Sequence, residues 1–329
     1  MFVTGAPEQP PGGSLRGGLR IGRAERRIFG GSSELATDPS MRPYLSAMIG
    51  PYGLALREDV FEAAAGHSYG EMAEPLIEAL VGADHPVDVL AVAHAIHDVR
   101  LGQSTATYLS GRCPGDPLAF AVCDQGVAAP FSALRTLHAY AVTGACRRAL
   151  LLVVEQSALH YELAEPARVP DRHAAVAFLL DGPTEAGQEP VTVRQHTVDT
   201  PDRVGDVLAA ELTELRPGDG PGTTLILGSD LAGDWTGHPG VDEVVVAPEG
   251  QPCTGVWWEL STRLPAWLAQ GRRVVLAEHD PLLGYLCTAS MQFDAAPVPG
   301  SLGRSSHLAG RDVDPSSGGP TRVRTGKEV

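Results

Sequence analysis

Two kinds of residue are scarce in this 329-residue chain, and each scarcity removes a class of function. Aromatic residues make up only 5% of it, too few for the stacking platforms that hold single-stranded nucleic acid. Lysine and arginine together number 25 against 40 acidic residues, for a formal net charge of −15. A nucleic-acid partner is therefore not expected, because phosphate backbones require a basic face. No apolar run approaches the length of a membrane span, and Met1-Phe2-Val3-Thr4-Gly5 lacks the charged and apolar regions of a secretion signal. The five cysteines, Cys113, Cys123, Cys146, Cys253 and Cys287, are odd in number and form no CxxC pair. That count disfavours a disulfide framework or a zinc knuckle and fits a reducing compartment. The expectation is a soluble cytoplasmic protein with no membrane partner.

What is present is ordinary for a globular chain, with 43% hydrophobic and 20% charged residues. Phe2-Val3-Thr4 reads as a short first strand, and residues 6–40 are rich in Gly, Pro and Arg and read as loops. Arg16, Arg20, Arg23, Arg26 and Arg27 make the basic stretch of the chain, either a solvated loop or a landing site for phosphate or an acidic carrier protein. The three- and four-residue spacing of Val60, Phe61, Ala64, Met72, Leu76, Leu80 and Val81 predicts a helix over 57–83. Strands follow at 87–93 and 118–122, a short helix at 104–109, a long helix reaching Ala145, and strands at 149–155 and 174–180. A second series repeats the alternation: strand 191–193, helix 203–215, strands 223–227 and 241–247, helix 254–268, then strands 273–277 and 285–293. Alternating strands and helices imply crossover units around largely parallel sheets. The repeated order divides the chain into residues 1–183 and 184–295, with 296–329 a disordered tail.

Cys123 carries the chemical argument. It ends the apolar run Leu118-Ala119-Phe120-Ala121-Val122 and precedes a helical stretch. A cysteine on a strand-to-helix turn is exposed to the positive helix end, which favours thiolate and suits a covalent nucleophile. The competing reading is a small buried hydrophobe.

From Tyr69 to Ser157 the ordered pieces "PVDVLAVAHA", "QSTATYLSGR" and "AFAVCDQGVAAPFSALRTLHAYAVTGACRRALLLVVEQS" resemble ketoacyl-acyl carrier protein synthase III of the thiolase superfamily, and "GRRVVLAEHDPLLGYLCTASMQF" looks like that family's last two strands. The resemblance implies a thiolase-like five-layered αβαβα fold of the α/β class, two similar halves with mixed, mostly parallel sheets, and a homodimer. It implies no bound cofactor or metal. The substrate would be an acyl-CoA or phosphopantetheine-linked acyl donor, with Cys123 as acyl acceptor and its backbone N–H in an oxyanion hole.

The departures from the family are specific. Ser229 falls where condensing members carry a histidine, and Gln251 where they carry an asparagine. Serine has no basic nitrogen to replace imidazole. The family's glycine-rich loop reads Pro281-Leu282-Leu283-Gly284, reshaping the pocket rim. Asp124 follows the cysteine, and an inward carboxylate there would oppose thiolate formation. His279, placed in the loop after strand 273–277, is either a proton acceptor or an exposed loop residue. His238 reads as an exposed turn residue, His94 and His97 as packing residues rather than metal ligands, and His173 has no assigned role. The expected function is acyl transfer through a Cys123 acyl-enzyme to an alcohol, amine or thiol in natural-product metabolism. The alternatives are a decarboxylative condensing enzyme and a degenerate partner subunit of a ketosynthase.

Overall fold

The computed structural model describes residues 18–63, 65–162, 168–182, 189–198, 200–215, 222–233 and 235–293. The expected strand at residues 2–4 and the expected tail lie outside these residues, as does Arg16. Ten strands are present among them: β1 (Arg20–Phe29), β2 (Val89–Ala93), β3 (Leu118–Val122), β4 (Arg148–Glu155), β5 (His173–Asp181), β6 (Thr192–Thr197), β7 (Thr223–Leu227), β8 (Glu243–Val246), β9 (Arg273–Asp280) and β10 (Tyr285–Gln292). The helices are α1 (Met41–Ile49), α2 (Glu58–Glu62), α3 (Tyr69–Leu80), α4 (Thr105–Ser110), α5 (Ala129–Val142), α6 (Val204–Glu214) and α7 (Gly255–Gln270).

The strands form two five-stranded sheets with one topology. The first runs β1-β5-β4-β2-β3 and the second β6-β10-β9-β7-β8. In each, the first two pairings are antiparallel and the last two parallel. The expected duplication is therefore present strand for strand. Sheet 1 is made of residues up to Asp181 and sheet 2 of residues from Thr192.

Strand pleat separates the layers, because successive side chains face opposite sides. In β2, Val89, Ala91 and Ala93 pack with Phe131 and Leu134 of α5 and with Trp257 and Leu260 of α7. The alternate residues Leu90 and Val92 pack with Tyr69, Met72 and Leu76 of α3. In sheet 2, Ile226 joins the central layer, while Leu225 and Leu227 pack against Leu208 and Leu212 of α6. The order is thus α3, sheet 1, α5 with α7, sheet 2, α6: the five layers expected. Trp257 anchors the middle, its ring 5.1 Å from Phe131 and 5.8 Å from Phe178.

Three local expectations are corrected. Residues 20–29 are a strand, not a loop. β1 pairs with β5 at the sheet edge, and a register shift between Ile21 and Arg23 breaks its alternation. Its arginines are engaged there: Arg23 donates to the carbonyls of Ala79 (2.9 Å) and Leu80 (3.2 Å) at the C-terminus of α3, and Arg26 lies 5.4 Å from the Trp258 ring. A cation at a helix C-terminus is favourably placed. The helix expected over 57–83 is two helices, because Ser68 caps α3 in a capping box with Glu71 and so fixes a new start. Finally, β9 continues through Asp280 because its pairing with β10 extends that far, so His279 is in a strand and not a loop.

Candidate active site

The carboxyl ends of the parallel strands in both halves open into one cleft of about 630 Å³. Ala95, Ile96 and His97 line it from beyond β2. Asp124, Gly126 and Val127 line it from beyond β3, Tyr161 and Arg168 from beyond β4, and Pro252 from beyond β8. Asp280 ends β9, and Pro281, Leu282 and Leu283 complete the wall. The loop expected at the rim is therefore at the rim. The apolar lining with a few polar groups is the usual make-up of a small-molecule site.

Cys123 is not among these lining residues, although its thiol lies against one of them, Asp124. Phe120 and Val122 of β3 face the central layer, while Ala119 faces α3. β3 ends at Val122, so the turn that follows, not the pleat, sets the direction of residues 123 and 124. Asp124 holds a positive φ of 59°, a backbone conformation that aspartate tolerates better than most side chains. The Cys123 thiol lies 3.3 Å from the Asp124 Oδ2 and donates to it. Partial burial pushes the thiol pKa up, and the hydrogen bond and charge of Asp124 push it further. A helical turn at Gly126–Ala128 leads directly into α5, as expected, but the Asp124 carboxylate beside the thiol opposes the activation expected from a helix end. Cys123 is nonetheless the one cysteine of the five that is not buried.

The other expected residues surround the cleft without lining it. Ser229 opens a short turn after β7 and is half-buried. Gln251 is buried, and its Nε2 donates to Thr254 Oγ1 at 2.9 Å. His279 is buried as well. Its neighbours Val275 and Ala277 face the α6 layer while Val274 and Leu276 face the centre, so the same alternation turns His279 away from the cleft. His238 bonds Thr213 near α6 at 3.1 Å. His94 is buried with its Nδ1 2.9 Å from the Ile96 carbonyl, and burial lowers its pKa. Among the described residues no group of His, Cys, Asp and Glu could hold a metal ion, and no helix is long and apolar enough to cross a membrane.

Behind the Pro252 wall lies a buried acidic cluster. Glu155, at the end of β4, accepts from the Cys253 N–H at 2.8 Å and from the Thr254 hydroxyl. Burial raises its carboxyl to about 7, against the opposing effect of these hydrogen bonds. Glu278 is raised to about 8, chiefly by burial, with Arg168 opposing and the charges of Glu155 and Asp280 adding to the rise. Arg168 itself pairs with Asp230.

Sequence reasoning had singled out Asp124 only as a disturbance, and had passed over Tyr161, Arg168 and Asp280. One signal for Asp280 was present: an Asp-Pro step after a strand marks a turn.

Fold and cleft define a thiolase-like α/β protein. Solved structures with this fold cover most of the chain. AbyA1, a tetronic acid condensing enzyme, is 18% identical, with a TM-score of 0.55 over 84% of this chain and 100% of its own. The 3-oxoacyl-(acyl carrier protein) synthase III FabH from Pseudomonas aeruginosa is 13% identical, with a TM-score of 0.52 over 84% and 98%. ChlB3, an acyltransferase, is 16% identical, with a TM-score of 0.56 over 85% and 99%. No family model and no curated protein matches the sequence.

Proposed function

We propose that this protein is an acyltransferase acting on a CoA or carrier-protein thioester, in which Asp124 is the general base and no acyl-cysteine forms. One observation carries the reading: Asp124 lines the cleft, whereas Cys123 does not and its thiol is harder to ionise. The acceptor, an alcohol, amine or thiol, loses a proton to the Asp124 carboxylate as it attacks the thioester carbonyl. The carbon–sulfur bond then breaks, and the departing thiolate takes the proton back from Asp124. Tyr161 shares the wall, and its hydroxyl pKa is raised by burial and by the charge of Asp124. It is the donor available to polarise the carbonyl. The names borne by the similar structures include both condensing and acyl-transferring enzymes. Decarboxylative condensation fits less well, since Ser229 stands in place of the histidine and His279 faces away.

The test joins intact mass spectrometry with a transfer assay over acyl-CoA donors. Transfer is expected to fall by about 10²–10⁴-fold in Asp124→Asn, the usual worth of a general base, and to survive in Cys123→Ala, with no covalent adduct in either. An acyl adduct lost in Cys123→Ala restores the acyl-enzyme route and overturns the proposal.

A second reading, a partner subunit without chemistry of its own, is favoured by Asp280. Its carboxylate already occupies backbone donors at the cleft. Activity seen only beside a cysteine-bearing synthase supports that reading. In either case we infer a homodimer formed through β3, whose outer edge pairs with no other strand among the described residues and exposes 54% of Leu118.

A further inference from the structure

Asp280 is buried at the end of β9, yet it faces the cleft. Its Oδ2 accepts the Val127 N–H at 3.2 Å, from a loop 153 residues away in sequence. Its Oδ1 accepts the N–H groups of Leu282 and Leu283, each at 3.0 Å. Three backbone donors, one from the helical turn before α5 and two from the loop after β9, therefore converge on one carboxylate. Gly126 is shaped to admit it: the residue holds a φ of 48°, and a Cβ there would overlap the Asp280 carboxylate. Converging backbone N–H groups form an anion-binding concavity whatever the source of the anion.

We propose that these donors are an anion cradle which the chain fills with its own carboxylate, and that Asp280 thereby decides the donor class. A thioester whose acyl group ends in a carboxylate, of the malonyl type, meets a filled cradle and two acidic side chains, Asp124 and Asp280. Arg168, the cation in the wall, is already paired with Asp230. A simple acyl thioester meets no such repulsion. The selectivity rests on the acyl-thioester reading above; the cradle does not.

The experiment has two arms. In the first, Asp280→Ala is melted in sodium formate and, at matched ionic strength, in sodium chloride. The variant should melt several degrees below wild type and regain the difference saturably with formate, while wild type responds equally to both salts. No saturable regain overturns the cradle. In the second arm, calorimetry compares acetyl-CoA with malonyl-CoA on wild type and on Asp280→Asn, which keeps one carbonyl oxygen for the turn at Leu282 and Leu283. Wild type should favour acetyl-CoA by about tenfold, a difference of roughly 1.4 kcal/mol, and the variant should lose most of that preference. Equal binding of the two by wild type overturns the selectivity. If formate restores Asp280→Ala but neither CoA ester binds, the cradle stands while selectivity among CoA donors falls, and the acyltransferase reading is narrowed to a carrier-protein donor. If Asp280→Ala does not fold in chloride, its recovery on refolding in formate becomes the readout, and no recovery there overturns the cradle.

Discussion

The Glu278 carboxyl occupies the place where a β-carbon on Gly228 would sit, so that a single added methyl would overlap it. Glu278 is 5% exposed and has little room to retreat. Gly228→Ala should therefore cost about 1–3 kcal/mol, the usual effect of overpacking a dense interior. The same change in a Glu278→Ala background should cost much less, because the obstructing group is gone. Denaturant titration of the four proteins measures the coupling. Equal costs in both backgrounds would show that the carboxyl moves aside freely.

Glu278 and Glu155 also give stability a pH dependence of unusual sign. Both are raised from 4.5, to about 8 and about 7. The folded state therefore holds protons that the unfolded chain has released, and stability falls with rising pH for as long as that difference persists. The contribution is complete below about pH 4.5 and is lost as pH rises through about 8. Each charge opposes ionisation of the other, so the two losses are coupled. Glu278→Gln should flatten the decline between pH 5 and 8 relative to wild type. The check is urea unfolding of both proteins across that window; parallel curves would refute the assignment.

The layers of this fold were legible in the sequence because central strands such as β2 and β4 are buried on both faces and read as continuous apolar runs. β1 was not, because an edge strand interrupted by a bulge and carrying several arginines loses the period of two. The site was legible only in part: Asp124 stood out as a disturbance, and Tyr161, Arg168 and Asp280 did not stand out at all. The strand, the turn and the helix around Cys123 were readable, but which of Cys123 and Asp124 meets the cleft is set by the turn after β3, where Asp124 takes a positive φ that no sequence pattern announces. His279 shows the same limit: the apolar run ends at Ala277, while pairing with Leu286 of β10 carries the strand further.

The thiol of Cys123 offers a direct probe of its neighbour. Alkylation requires thiolate, and partial burial together with the Asp124 carboxylate raises the thiol pKa. Iodoacetamide at pH 7.5 should modify Cys123 first, since the other four cysteines are buried, but more slowly than an unperturbed thiol. Asp124→Asn removes the charge and should speed the reaction several-fold. Peptide mapping after timed quenching reads both effects. A faster reaction in wild type than in the variant would mean that some other group activates the sulfur.

The bare edge of β3 connects assembly to the site. Edge strands that keep an exposed apolar flank invite pairing, and a two-fold pairing of β3 with a second copy is self-complementary. Asp124 follows two residues after β3 ends at Val122, so whatever holds β3 also holds the backbone that presents Asp124. Light scattering should find a dimer for wild type. Ala121→Pro should yield monomer, because proline within a strand removes a donor and disrupts its flank. Leu118→Lys is the gentler variant and leaves the backbone intact. Transfer activity should fall in step with the dimer fraction in both variants. A wild-type protein that is monomeric at micromolar concentration, or a monomeric Leu118→Lys with full activity, would separate the edge from the chemistry.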